Sequence, residues 1–160
     1  MIFLDSSSTV VNMPEFMKKL NNITVVTNGF EVCRQLMNQT QDLYFIGGFV
    51  DKRDEASRGK YALQQLKMMH FDVGFFACSG LGEDGVLSGY TDSGSLIVQT
   101  AIESCDKRVF LCDSSKLFLR RIHAICSLTD VDEVICMEPL PEKLRRMVGI
   151  NRPEKTEEVR

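Results

Sequence analysis

Short apolar runs alternate along this chain with segments whose apolar residues recur at helical spacing. Ile2 to Leu4 is an apolar run that ends abruptly in Asp5, Ser6, Ser7, Ser8 and Thr9. Val10, Met13, Met17 and Leu20 then repeat every three or four positions, the mark of an amphipathic helix. Pro14 falls inside that stretch, so the helix either starts near Asn12 or kinks. The β-branched run Ile23 to Thr27 predicts a strand, and Phe30 to Asn38 a helix with Val32, Cys33 and Leu36 on one face. Further strands are predicted over Leu43 to Gly48, within Phe71 to Gly80, over Lys107 to Asp113 and over Val131 to Met137. Helices are predicted over Lys60 to Met69, Ser95 to Cys105 and Pro141 to Val148. Asp51 to Gly59 reads as a charged loop, and Leu81 to Gly94 as a succession of turns.

Strands that alternate with helices, most of them continuous apolar runs, predict an α/β fold. Its sheet is mainly parallel, with helices on both faces. Ligands of such sheets bind at the carboxyl ends of the strands. The residues placed there are Asp5 to Thr9, then Thr27, Asn28 and Gly29, then Gly47 and Gly48 with Arg53 and Arg58 nearby. Ser79 and Gly80 follow the fourth strand, and Asp113, Ser114, Ser115 and Lys116 the fifth. Small hydroxyls, an amide, glycines and a lysine therefore recur at one end of the sheet.

That set suits a phosphorylated polyol. Glycines let the backbone approach an anion, hydroxyls donate to it, and Lys116 adds a point charge. Ionised Asp5 and Asp113 only accept, which fits sugar hydroxyls and not phosphate. Helix capping uses the same residues as an anion loop, so Ser6 to Thr9 carry both readings. Lys116 likewise reads as a solvated surface lysine or as a ligand contact. The string Gly80-Leu81-Gly82-Glu83-Asp84-Gly85 matches a dinucleotide fingerprint literally. It opens no predicted helix, and its two acids would oppose a pyrophosphate. His70 and His123 stand in no catalytic pattern, and no nucleophile-elbow, zinc-protease or P-loop motif occurs.

Composition narrows the picture further. The chain has 160 residues, 44% hydrophobic and 26% charged, which predicts one globular domain over residues 1–150 and a polar, flexible tail over 151–160. A net charge of −3 argues against this segment gripping nucleic acid by itself. No apolar stretch is long enough to span a membrane, and the start has no secretory pattern, so a cytoplasmic location is expected. The 6 cysteines form no C-x-x-C pair and read as reduced core thiols, with no metal and no cofactor expected.

Six ordered segments carry a family resemblance: "IFLDSSSTV", "NITVVTNGFEV", "LYFIGG", "FDVGFFACSGLGEDGVLSG", "VFLCDSSKL" and "LTDVDEVI". Together they resemble the effector-binding domain of the DeoR family of bacterial transcriptional regulators over roughly residues 1 to 138. The resemblance implies a fold similar to ribose-5-phosphate isomerase A, glucosamine-6-phosphate deaminase and the CoA transferases. It implies a phosphorylated-sugar effector, a homo-oligomer, and operator DNA held only through an N-terminal helix-turn-helix domain absent from this chain. Many such proteins repress operons of sugar metabolism and release DNA when the effector binds. Carried over by matching segments, the ligand-binding residues would be Asp5, Ser6, Ser7, Ser8, Thr9, Asn28, Gly47, Gly48, Arg53, Gly80, Asp113 and Lys116. Ser7 stands where the family often has glycine. The helix after the fourth strand lacks the Glu and Lys that the family often carries there.

The leading expectation is therefore a sensor and not an enzyme. Two others stand beside it. One is a sugar-phosphate isomerase, which needs a positioned acid–base pair near the sugar carbonyl. The other is an oligomerisation domain with a vestigial pocket.

Overall fold

Alternation along each strand decides which side of the sheet a residue serves. A computed structural model describes residues 1–39 and 41–151. Its main sheet contains β1 (Ile2–Leu4), β2 (Thr24–Thr27), β3 (Asp42–Phe45), β6 (Phe71–Phe76), β9 (Cys105–Cys112) and β11 (Glu133–Cys136). Their spatial order is β11-β9-β6-β1-β2-β3. Every neighbouring pair is parallel.

Phe3, Val26, Phe76 and Phe110 point to one face, where α3 (Lys60–Lys67) and α4 (Asp92–Glu103) supply Ala62, Leu66, Ile97, Ala101 and Ile102. Leu4, Val25, Phe75 and Leu111 point to the other face. There Val10, Met17 of α1 (Pro14–Met17), and Val32 and Leu36 of α2 (Phe30–Leu36) cover them. Both faces are thus closed by helices, as the continuous apolar runs require. Phe76 is the pivot of the first core, tilted against Phe3 at 5.7 Å and Phe110 at 5.8 Å.

The chain begins in the middle of the sheet, builds outward through β2 and β3, then returns to build β6, β9 and β11 on the far side of β1. The direction of winding reverses between β1 and β6. Such a switch point opens a crevice at the carboxyl ends of the strands.

Three segments differ from the sequence reading. The amphipathic stretch after β1 does not form one helix: a 3-10 turn over Val10–Asn12 precedes a short α1 that starts at Pro14. Proline has no N–H to bond the preceding turn and is accommodated at a first helical position. The charged stretch 51–59 is not a loop. It belongs to an antiparallel hairpin of β4 (Phe49–Asp51) and β5 (Ala56–Arg58). The turn-rich stretch contains β7 (Gly80–Leu81) and β8 (Val86–Gly89), which join β10 (His123–Ser127) in a small antiparallel sheet. These strands are very short, so no alternation long enough to read develops. Near the chain's end, α5 (Glu142–Arg145) adds Leu144 to the first core, and Asn151 donates to the Thr129 carbonyl at 2.9 Å. The tail expected over 151–160 otherwise lies outside the described residues.

Candidate functional site

A cleft of ≈ 580 Å³ opens at the switch point. The loop after β1 forms its floor, from Asp5 to Thr9, together with Asn28 and Gly29 after β2 and Ala77 to Ser79 after β6. The β4–β5 hairpin contributes Arg53, Asp54, Glu55 and Arg58, and the N-terminal end of α4 contributes Tyr90, Thr91, Gly94 and Ser95. Lys116 enters from the turn after β9.

Asp5 organises the floor. It is 3% exposed and sits where β1 leaves the sheet. One carboxylate oxygen accepts from the Ser7 N–H at 2.8 Å and the other from the Ala77 N–H at 2.9 Å, so it fastens the β1 and β6 ends together. Burial pushes its carboxyl up to about 6, against the lowering pull of the Ser7 and Ala77 hydrogen bonds. Ser7 is spent on architecture as well, since its hydroxyl accepts from the Val10 N–H at 3.2 Å. Ser7 therefore fills the capping role that hydroxyl residues play at a turn. The hydroxyls of Ser6, Ser8 and Thr9 have no hydrogen-bond partner among the described residues, and all line the cleft.

The hairpin is fixed over the floor by backbone bonds. Ser57 N–H donates to the Asn28 carbonyl at 2.8 Å, Phe30 N–H donates to the Glu55 carbonyl at 2.9 Å, and Asn28 Nδ2 donates to the Ser57 carbonyl at 3.1 Å. Arg58, only 6% exposed, reaches from β5 to the start of α4. Its guanidinium pairs with Asp51 at 2.8 Å and with Asp54, and donates to Thr91 Oγ1 at 3.0 Å. Thr91 caps α4 by accepting from the Gly94 N–H at 3.3 Å.

Three buried polar atoms in this wall have no partner: Asn28 Oδ1, Arg58 Nε and Ser95 Oγ. Buried polar groups are rarely left so, and those that are call for a reason. The charged lining is mixed. Arg58 is neutralised by its two aspartates and Glu31 is paired with Arg34 at 2.6 Å. Arg53 and Lys116 make no close ion pair among the described residues, although Asp51 and Asp113 lie near enough to feel them, and both cations face the same cleft as the hydroxyl loop.

Of the residues expected at the site, Asp5, Ser6, Ser7, Ser8, Thr9, Asn28, Arg53 and Lys116 line this cleft. Gly47, Gly48, Gly80 and Asp113 are not in its lining, and each has a structural task. Gly47 exchanges hydrogen bonds with the Gln65 amide at 3.2 and 3.0 Å. A Cβ on Gly48 would meet the Arg58 carbonyl at 2.5 Å, and one on Gly80 the Leu119 carbonyl at 2.5 Å. Asp113 accepts from the Ser115 N–H at 2.8 Å and so caps the turn that presents Lys116, an interaction that lowers its pKa. Arg58, Tyr90, Thr91, Gly94 and Ser95 were not among the expected residues. The sequence did contain a signal for the last four. Thr91 before an apolar periodic run is an N-cap pattern, and it would have placed the helix start at the cleft and not at Ser95.

A parallel α/β sheet with a polar cleft at its switch point is the architecture in which such sheets place their ligands. The chain belongs to the DeoR C terminal sensor domain family, whose match covers residues 1–137. It is 27% identical over 150 residues to an uncharacterized HTH-type transcriptional regulator of Haemophilus influenzae, covering 92% of this chain and 58% of that protein. It is 26% identical over 137 residues to the lactose phosphotransferase system repressor of Staphylococcus epidermidis, covering 84% of this chain and 54% of that protein. The chain thus spans a little over half the length of these relatives. Among solved structures, ribose 5-phosphate isomerase A from Methanocaldococcus jannaschii aligns with a TM-score of 0.48 at 16% identity, covering 72% of this chain and 45% of that one.

Proposed function

We propose that the cleft binds a phosphorylated sugar and that its occupancy is the signal this sensor domain passes to a DNA-binding partner domain of the larger regulator. One observation carries the reading. The two cleft cations that make no close ion pair among the described residues, Arg53 and Lys116, face the same cavity as the free hydroxyls of Ser6, Ser8 and Thr9. A phosphate satisfies cations and hydroxyl donors together. The unpartnered Asn28 Oδ1 and Ser95 Oγ of the same lining suit sugar hydroxyls of such a ligand. The lactose system named for the Staphylococcus relative agrees with a sugar-derived effector.

Binding without turnover is the reading that the acids favour. The one cleft carboxyl raised toward neutrality, Asp5, has both oxygens held by backbone N–H groups, which removes it as a free base. The regulator acts as a repressor whose grip on operator DNA is relieved when the effector favours one state of a homo-oligomer over another.

The test is thermal denaturation against hexose, pentose and glycerol phosphates beside their free sugars. A rise in Tm with one phosphate, absent for its free sugar, is expected. Lys116→Ala should then weaken that ligand by about 1.5–3 kcal/mol, as for a hydrogen bond to a charged group. No shift across the panel, or equal shifts with free sugars, would overturn the phosphate reading. Conversion of the ligand at catalytic protein concentration would make the domain an enzyme.

A further inference from the structure

The carboxyl ends of β6, β9 and β11 carry a row of sulfurs that the ligand reading does not use. Cys112 and Cys136 end their strands as direct partners in the parallel β9–β11 register. One pleat beyond the last β6–β9 pair, Phe76 with Phe110, Cys78 comes level with Cys112. Cys112 Sγ points to the Asp113 carbonyl at 3.7 Å, and Cys136 and Cys78 both lie near enough to bear on its titration. All are free thiols packed against the first core.

The row runs from one surface to another. Cys78 lines the ligand cleft. Cys136, half-buried, lines a separate surface hollow of ≈ 360 Å³ with Glu133, Glu138 and Leu140. Cys112 is buried between them. Neighbouring strands lie about 4.8 Å apart, inside the roughly 4.4–6.8 Å between Cα atoms that a disulfide spans. Burial raises the Cys112 thiol to about 12, which keeps it a protonated, unreactive thiol at rest.

We propose that Cys112 and Cys136 form a reversible thiol–disulfide site, entered by a low-molecular-weight disulfide through the hollow beside Cys136. The Cys136 thiolate attacks glutathione disulfide, forming a mixed disulfide and releasing one glutathione thiol. The Cys112 sulfur then attacks the Cys136 sulfur and expels the second glutathione. The protein loses two protons and two electrons, and one glutathione disulfide becomes two glutathiones. The mixed disulfide needs access only at Cys136, and the second step needs only the neighbouring strand. The bond would lie at the base of the turn that presents Lys116, four residues beyond Cys112. The site stands whether or not the cleft takes a phosphorylated sugar.

The experiment treats the folded chain with excess glutathione disulfide, alkylates the remaining thiols in denaturant and maps the peptides. Tryptic cleavage at Arg108 and Lys116 isolates Cys112 from Cys105 and Cys126, and further cleavage at Glu133 separates Cys126 from Cys136, so the link is assigned without ambiguity. The expected product joins Cys112 to Cys136, is lighter by two hydrogens, disappears with dithiothreitol and is lost in Cys136→Ser. It should form far less in the urea-unfolded chain, where no register holds the pair together. Full alkylation of Cys112 after treatment, a link from Cys112 to Cys78, or equal linkage in urea would overturn the proposal.

Discussion

A carboxyl placed at the end of an apolar strand has to be held by something, and Asp5 is held by the Ser7 and Ala77 N–H groups. Burial nevertheless raises it to about 6, above the range of an unfolded aspartate. Between roughly pH 4 and 6 the folded chain therefore binds a proton that the unfolded chain does not. This contribution to stability is fully present below the unfolded value and is lost as pH rises through about 6. Linkage makes it worth about 3 kcal/mol. Urea midpoints of the parent and of Asp5→Asn, compared at pH 7 and pH 5, check this. The parent should gain on its variant as pH falls. The variant's amide also sets an N–H against an N–H, so its cleft floor should loosen and its ligand affinity drop. A pH-independent difference would remove Asp5 from this role.

The β4–β5 hairpin shows how one short element sets the shape of the site. Its strands have too few residues to bury much area, so its placement depends on bonds to the β2 end and on Arg58. Arg58→Ala should cost about 2–3 kcal/mol, because Asp51 and Asp54 lose their partner but keep some access to water. Arg58→Lys should rescue little, since one ammonium cannot replace a fork that serves two carboxylates and Thr91. Both are read from denaturant midpoints. Gly29 is a second tight point: a Cβ there would meet the Ser6 Cα at 2.9 Å. Gly29→Ala should push the hydroxyl loop aside and cost about 1–3 kcal/mol, with a matching fall in ligand affinity by calorimetry.

These same elements mark the limit of what could be read from the chain. The main strands and helices were legible because parallel strands and amphipathic helices leave long periodic signals. That residues after β1, β2 and β9 meet at one cleft is legible because the switch-point rule says where strand ends converge. The hairpin and the β7–β8–β10 sheet were not, since their strands carry no period. Arg58 was noticed near the site but left out, because only the fold reveals that its side chain turns toward α4. Gly47, Gly48 and Gly80 were read as ligand contacts when each serves a close approach of backbone or side chain. A glycine's freedom looks the same in sequence whether a ligand or the protein itself uses the space.

The chain's net charge of −3 sets it against a polyanion. Fluorescence anisotropy with a labelled DNA duplex at physiological salt should show no binding by this chain alone. Binding that falls steeply with added salt would contradict that expectation.

The cleft's lining runs from Asp5 to Ile125, so no short fragment of the chain contains it. The β1–β6 pair joins Ile2 to Val73, so β1 must wait for β6 before its second edge is covered. Folding should accordingly be slow, as it is for chains of high contact order. A nascent chain released before its Lys116 turn would have neither cleft nor closed sheet. If the proposed effector holds the finished cleft, it also stabilises the domain against degradation, by about 2.7 kcal/mol at a hundredfold excess over Kd. Cellular abundance of the protein would then follow the supply of its ligand, a second readout of the same metabolite that involves no operator at all.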